Sequence, residues 1–286
     1  MFFSLFINDI GHNLTSQFVL YADDMKIYRK ISDQRDSLSL QQDLDRISLW
    51  CQLNKLDLNF NKCTVMSFYR KSNYVNFTYK LADHIVKRVT NVKDLGVLFD
   101  HELTFTDHIS CIIRKCFQLV GFIRRLTVGF NQQSLAYLYT SLIRSRLEYC
   151  CVVWSPMYQK YVYNLQRVQD KLIKFAQYQN MFITLSSLEH RRLIHDMNFL
   201  WKLLHNQVSS PTLLESLDFL VRETTVNLRT NDLFYCRFSA TNYRRNSPVR
   251  SMIRFYNICV ENTNQIDIFS NSFKTNIGLT LAQANL

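Results

Sequence analysis

The stretch Gln17–Lys30, QFVLYADDMKIYRK, decides how the rest of the sequence is read. Phe18 and Leu20 alternate with their neighbours before Asp23-Asp24, and Met25 and Ile27 do the same after it. Period-two alternation on both sides of a short polar pair predicts strand, tight turn, strand: a β-hairpin with two acids at its tip. Adjacent carboxylates repel, and a divalent cation is the usual means of holding them together. With oxygen donors alone and no histidine or thiolate beside them, the pair suits magnesium or manganese, ions that activate a hydroxyl and offset charge in phosphoryl transfer. A bare Asp-Asp in a solvated turn is the bland alternative, so the surrounding sequence has to decide.

Downstream, residues 34–55 place Leu40, Leu44, Ile47, Cys51 and Asn54 at helical spacing behind the cap candidates Ser32 and Asp33. Strand-like runs follow at Leu56–Phe60, Thr64–Tyr69, Asn76–Leu81, Ile85–Val89 and Asp94–Asp100. Hairpin, helix and short strands predict an α+β region with an antiparallel sheet. From Thr106 the period lengthens: Ile109, Ile112, Ile113, Cys116, Phe117, Val120 and Ile123 form one helical face. Further helices are expected over Gln132–Arg146 behind Asn131, over Tyr158–Gln177 and over Leu188–Asn206. The expected divisions are 1–105, 106–180 and a helical or irregular 181–286, and Trp50, Trp154 and Trp201 are core candidates.

Composition sets outer limits. A chain of 286 residues with 47% hydrophobic content can bury sizeable cores, and five glycines with three prolines argue against linkers and disordered tails. Every apolar run is interrupted before the roughly 18 to 20 residues needed to cross a bilayer. The opening MFFSLF has no basic residue before it and meets Asp9 too soon to read as a secretory signal, so an intracellular location, in cytoplasm or nucleus, is expected. The eight cysteines show no CxxC spacing and read as free thiols. Net charge is +11, with 13 Lys and Arg against 11 acids in residues 1–100 and 21 against 12 in residues 101–286. The second part suits a polyanion, although a basic chain kept soluble by its charge reads the same way.

Several blocks then agree in order. FVLYADDMKIY at Phe18–Tyr28 resembles the YxDD hairpin of reverse transcriptases, and FSLFINDI at Phe3–Ile10 is similar to the segment preceding it in non-LTR enzymes. The stretches LQQDLDRISLWCQLNKLDLNFNKC at Leu40–Cys63, VKDLGVLFDHELTFTDHI at Val92–Ile109 and LYTSLIRSRLEYCCVVWSP at Leu138–Pro156 continue the likeness. Over roughly residues 1–200 the chain thus resembles a reverse transcriptase of the non-LTR (LINE/jockey-type) retrotransposons, an RNA-directed DNA polymerase.

That resemblance implies a partial palm over 1–105, a helical thumb-like region over 106–180, and a metal-dependent nucleotidyl transfer using RNA template, DNA primer and dNTP. It makes Asp23 a catalytic ligand of magnesium or manganese, with Asp24 supporting the site, and sets Tyr21 and Ala22 where primer end and nucleotide meet. Lys62 would face the nucleotide phosphates, though an exposed turn lysine reads the same way. Leu95-Gly96 matches the hairpin that supports the primer, with an ordinary strand glycine as the alternative. Arg114, Lys115, Arg124 and Arg125 would track the nucleic-acid backbone or form a solvated helix face. In the family a further aspartate lies well upstream of YxDD; only twenty residues precede Tyr21, and Asp9 matches the NDI block instead. The expectation is therefore a polymerase fragment by descent, inactive alone, with a non-catalytic nucleic-acid-binding remnant as the competing reading.

Overall fold

Asp33 opens the first long helix as the sequence suggests. Its carboxylate accepts hydrogen bonds from the backbone of Arg35 and Asp36 while Asp36 answers to the backbone of Asp33, a reciprocal cap that satisfies otherwise orphaned amides. In the computed structural model the described residues are 2–70, 75–126, 129–220, 232–263, 267–270, 273 and 277–278. They fall into two units, Met1–Thr104 and Phe105–Leu286.

The first unit starts with α1 (Phe2–Ile7) and a 3-10 turn at Asn8–Gly11, then the antiparallel strands β1 (Gln17–Tyr21) and β2 (Asp24–Tyr28), then α2 (Gln34–Leu53). Strands β3 (Thr64–Val65), β4 (Lys80–Leu81), β5 (His84–Ile85), β6 (Lys87–Arg88), β7 (Asn91–Asp94) and β8 (Val97–Asp100) follow. Ile7, Ile10, Ile47 and Cys51 make its core, with Leu20, Met25, Ile27 and Trp50 packed against them.

The expected antiparallel sheet is corrected here. The described strands form four two-stranded sheets, β1-β2, β3-β6, β4-β5 and β7-β8, and β3-β6 is parallel. The runs at Thr64–Tyr69 and Asn76–Leu81 shrink to two-residue strands, and Ile85–Val89 is divided between β5 and β6. Leu56–Phe60 is no strand. Leu56 N–H donates to the Cys51 carbonyl at the end of α2, and Leu56 and Leu58 cover the core instead. Asp94–Asp100 is not one strand but the end of β7, a turn and β8, since Leu95 and Gly96 have φ of 42° and 89°. Positive φ at both central residues is what a type I′ hairpin turn, one of the two that match strand twist, requires.

The second unit is helical: α3 (Thr106–Leu126), α4 (Gln132–Leu138), α5 (Ser145–Glu148), α6 (Cys151–Trp154), α7 (Gln159–Tyr178), α8 (Leu188–Leu204), α9 (Pro211–Glu215), α10 (Asn242–Arg245) and α11 (Pro248–Thr263). The helix expected at Gln132–Arg146 begins behind Asn131, whose Oδ1 accepts from Ser134 N–H at 2.8 Å. It then widens to a π-helical segment at Tyr139–Arg144 that joins α4 to α5 without a break. α3 packs along α7, with Ile109, Cys116, Val120 and Ile123 of one and Leu165, Val168 and Leu172 of the other buried. Trp154 is fully buried, and Trp201 sits in a second core with Met197, Leu200, Met252, Ile253 and Tyr256 from α8 and α11. Across residue 180, Leu188 N–H donates to Gln166 Oε1 and Gln169 donates to the Ser186 carbonyl, each at 3.0 Å. Part of the region 181–286, expected to be helical or irregular, lies outside the described residues.

Candidate functional site

The hairpin register pairs Tyr21 with Asp24, leaving Ala22 and Asp23 as the turn. The tip therefore holds one acid, and Asp24 opens β2, because a two-residue turn leaves no room for a second. Ala22 has φ 52°, a left-handed conformation that costs an L-residue roughly 1 kcal/mol more than glycine.

Alternation splits the hairpin into two faces. Phe18, Leu20, Met25 and Ile27 are half-buried, and the last three pack on the α2 core. Gly11 lies beneath the Phe18 ring, where a Cβ would overlap it. On the other face Val19, Tyr21, Asp24 and Tyr28 are exposed.

Asp43 fixes this arrangement from α2. Its carboxylate is fully buried and accepts from Ser16 N–H at 2.8 Å, Thr15 N–H at 3.1 Å and Thr15 Oγ1 at 2.9 Å, with Arg46 Nη1 at 2.8 Å. Burial alone would raise its pKa, but the bonds from Ser16 and Thr15 outweigh burial and hold it below the usual 3.8. Thr15-Ser16 lead directly into β1, so one helical acid anchors the hairpin's base.

Lys26, beside Asp24 in β2, forms an ion pair of 2.6 Å with Asp94 at the end of β7. Asp94 is the residue before the Leu95-Gly96 turn. The structure thus brings together two segments that the sequence singled out separately, the acid hairpin and the Leu95-Gly96 hairpin. Lys62 is not drawn in: it sits exposed in a turn whose N–H donates to the Asn59 carbonyl, and among the described residues no hydrogen bond or ion pair joins it to Asp23 or Asp24.

Asp23 and Asp24 are both exposed, and neither carboxylate has a hydrogen-bond or ion-pair partner among the described residues. Exposure changes the argument for a cation, because water screens their repulsion and the pair can exist without one. Two unengaged carboxylates fit part of the oxygen donor set of magnesium or manganese. No group of three or more His, Cys, Asp or Glu side chains suited to a metal occurs among the described residues.

The basic residues of α3 separate by direction. Arg114 and Arg125, eleven residues apart on one helical face, line a shallow groove of about 550 Å³ with Phe117, Gln118 and Gly121. Arg124 lies over the Phe175 ring at 5.4 Å, while Lys171 of α7 lies over Phe117 at 5.2 Å. Lys115 is exposed on another side, where its charge adds to burial in lowering the pKa of His108.

Sequence reading missed a part-buried ionic cluster. Glu148, at the end of α5, accepts from Arg191 Nε and, at 2.9 Å, from Arg191 Nη2; His195 Nε2 is at 3.1 Å and Arg144 Nε at 4.0 Å. Burial opposes ionisation of Glu148, yet Arg191 and His195 outweigh it and pull the carboxyl down to about 2. The neighbouring Asp196 behaves oppositely: burial pushes it up to about 7 against the pull of His195 and Arg192. The available signal was an acid inside the apolar run LEYCCVVW, just as Asp43 is an acid on the apolar face of α2.

Comparison with known proteins points to an origin related to reverse transcriptases. The probable RNA-directed DNA polymerase from transposon X-element of Drosophila melanogaster is 24% identical to this chain over 182 residues, 62% of the chain and 20% of that protein. The chain thus spans about a fifth of the length of the curated relative it matches. No protein-family profile matches the sequence. No solved structure matches it either. Among the described residues, no helix is long and apolar enough to cross a membrane.

Proposed function

We propose that the chain descends from a retrotransposon RNA-directed DNA polymerase and carries the palm hairpin that presents carboxylates to divalent metal. The observation that carries this reading is the Lys26–Asp94 ion pair, which couples YADD to the Leu95-Gly96 hairpin across sixty-eight residues of sequence. In that reading Asp23 is the metal ligand, Asp24 supports it, and the exposed Tyr21 flanks the place where primer end and dNTP meet. Magnesium or manganese would supply Lewis-acid stabilisation of the transferring phosphoryl group. The chain's own contribution is to hold the two acids on an anchored hairpin: Asp43 fixes its base, and the α2 core fixes its inner face. The residues 1–105 and 106–180 are read as partial palm and thumb. All eight cysteines are free, which fits a reducing intracellular compartment.

Two carboxylates supply only part of a two-metal site, so the 286-residue polypeptide is expected to extend no primer by itself. The second reading, a non-catalytic nucleic-acid-binding remnant, draws on the exposed Arg114–Arg125 groove. A template-dependent incorporation assay with magnesium or manganese tests the first expectation. Extension by this chain that disappears in Asp23→Ala would show an active polymerase and overturn it. Salt-sensitive binding to a template–primer duplex, unchanged in Asp23→Ala and weakened by Arg114→Gln with Arg125→Gln, is the outcome the remnant reading requires.

A further inference from the structure

The second unit contains a cavity of about 290 Å³ that the polymerase reading does not use. It lies beyond residue 200, past the stretch that resembles a polymerase. Among the described residues four arginines line it, Arg237, Arg245, Arg250 and Arg254, with one lining acid, Asp218, while Asp232 acts electrostatically on Cys236 in its wall. The lining acid is already taken, since Arg237 Nη2 contacts Asp218 Oδ1 at 2.5 Å.

Two of the other three cations are held by neutral groups. Arg250 Nη1 donates to Ser239 Oγ at 2.7 Å and to the Arg237 carbonyl at 3.3 Å, and Arg254 Nη2 donates to Asn246 Oδ1 at 3.3 Å. Arg250 and Arg254 stand one helical turn apart on α11, and Arg245 closes α10 just before it. No ion pair engages Arg245, Arg250 or Arg254 among the described residues. Burial first, and then the charge of Arg245, lower the pKa of Arg254, so these guanidiniums repel one another across the cavity. An anion bound between them relieves that repulsion and gains charge-assisted, fork-shaped hydrogen bonds.

Two large aromatic side chains mark the same wall. Phe238 is 90% exposed and Tyr235 is 54% exposed, and both line the cavity. Flat exposed rings beside guanidiniums are the combination that holds unpaired bases by stacking while the backbone phosphate is neutralised. A phosphorylated peptide would use the arginines and leave the rings idle. A duplex keeps its bases stacked on one another and offers these rings no face.

We propose that this cavity binds single-stranded nucleic acid, with a backbone phosphate held by Arg245, Arg250 and Arg254 and an adjacent base stacked on Tyr235 or Phe238. The site stands apart from the acid hairpin, so it survives if the polymerase reading fails.

Cys236 gives a local readout, because this exposed residue lines the cavity while the exposed Cys150 does not. The experiment measures iodoacetamide labelling of both cysteines by mass spectrometry in the full chain, with and without a ten-nucleotide oligouridylate at saturating concentration. Labelling of Cys236 should slow at least about fivefold while Cys150 is unaffected, and Asp23→Ala should change neither. Arg245→Gln with Arg254→Gln should abolish the protection and weaken oligonucleotide binding about tenfold or more. Phe238→Ala should weaken the oligonucleotide about fivefold or more while leaving protection by inorganic pyrophosphate intact. Should the double variant melt early, exposed Arg245→Glu alone must still remove the protection. An unchanged Cys236 rate with oligonucleotide bound overturns the proposal. Equal protection by a duplex or by a phosphoserine peptide overturns it as well.

Discussion

The acid pair of the 17–28 hairpin and the acid at the end of α5 solve the problem of carrying negative charge in opposite ways. Asp23 and Asp24 stand in water with no partner among the described residues, and Glu148 is enclosed by Arg144, Arg191 and His195. Charge left unengaged on an anchored turn is available to a ligand, whereas charge engaged inside a helical core belongs to the fold. The same division shows in position: the hairpin acids are contiguous in sequence, while Arg191 and His195 lie 43 and 47 residues from Glu148.

Glu148→Ala should therefore have the largest effect, removing the shared partner of Arg144, Arg191 and His195 at a part-buried site and lowering stability by about 3 kcal/mol or more. Asp23→Ala should shift stability by only a few tenths of a kcal/mol. Denaturant titration of both variants checks the contrast, and equal losses would erase it. Acid unfolding adds a sign. Because the folded pKa of Glu148, about 2, lies below its ordinary 4.5, its stabilisation is fully present above about pH 4.5 and is lost as pH falls toward 2. Glu148→Gln should flatten that acid limb, and Asp23→Asn should leave it as it is.

Asp43 belongs with Glu148 in burial and with the hairpin in location, so it tests whether the hairpin's order depends on a buried charge. Asp43→Ala leaves the amides of Thr15 and Ser16 without their acceptor, and should cost about 2 to 3 kcal/mol. Amide hydrogen exchange across residues 15–28 should rise by more than exchange in α7. Uniform acceleration through both units would mean that the anchor acts on global stability alone.

What could be read from the sequence was local. Alternation around Asp23-Asp24, the Asp33 cap and the limits of the helices at 34–53, 159–178 and 188–204 depend on neighbours within a few residues, so composition and period reveal them. Between residues 56 and 89 the β-forming runs had the right residue types, yet the described strands there are two residues long and find their partners in β3-β6 and β4-β5. The Lys26–Asp94 pair, the Asp43 anchor and the Arg-lined cavity are tertiary. Each unites residues from separate elements, and a lone lysine or aspartate carries no mark of the partner it will meet.

The smallest expected effect separates turn chemistry from metal chemistry within the first unit. The β4-β5 hairpin turns at Ala82-Asp83, with Ala82 at φ 50°, and so repeats the Ala22-Asp23 turn and its φ of 52° without a second acid after it. Ala-Asp is therefore a turn that this chain uses twice, and only Tyr21 and Asp24 distinguish the first use. Glycine relieves the left-handed strain at either position, so Ala22→Gly and Ala82→Gly should each stabilise by about 0.5 to 1 kcal/mol, net of glycine's greater freedom when unfolded. If the first turn alone also presents carboxylates to metal, a looser tip at Ala22→Gly should weaken manganese binding, read by paramagnetic broadening of nearby amides, and Ala82→Gly should not. Equal loss in both variants would assign the broadening to general surface acidity and leave the YADD turn with no metal role of its own.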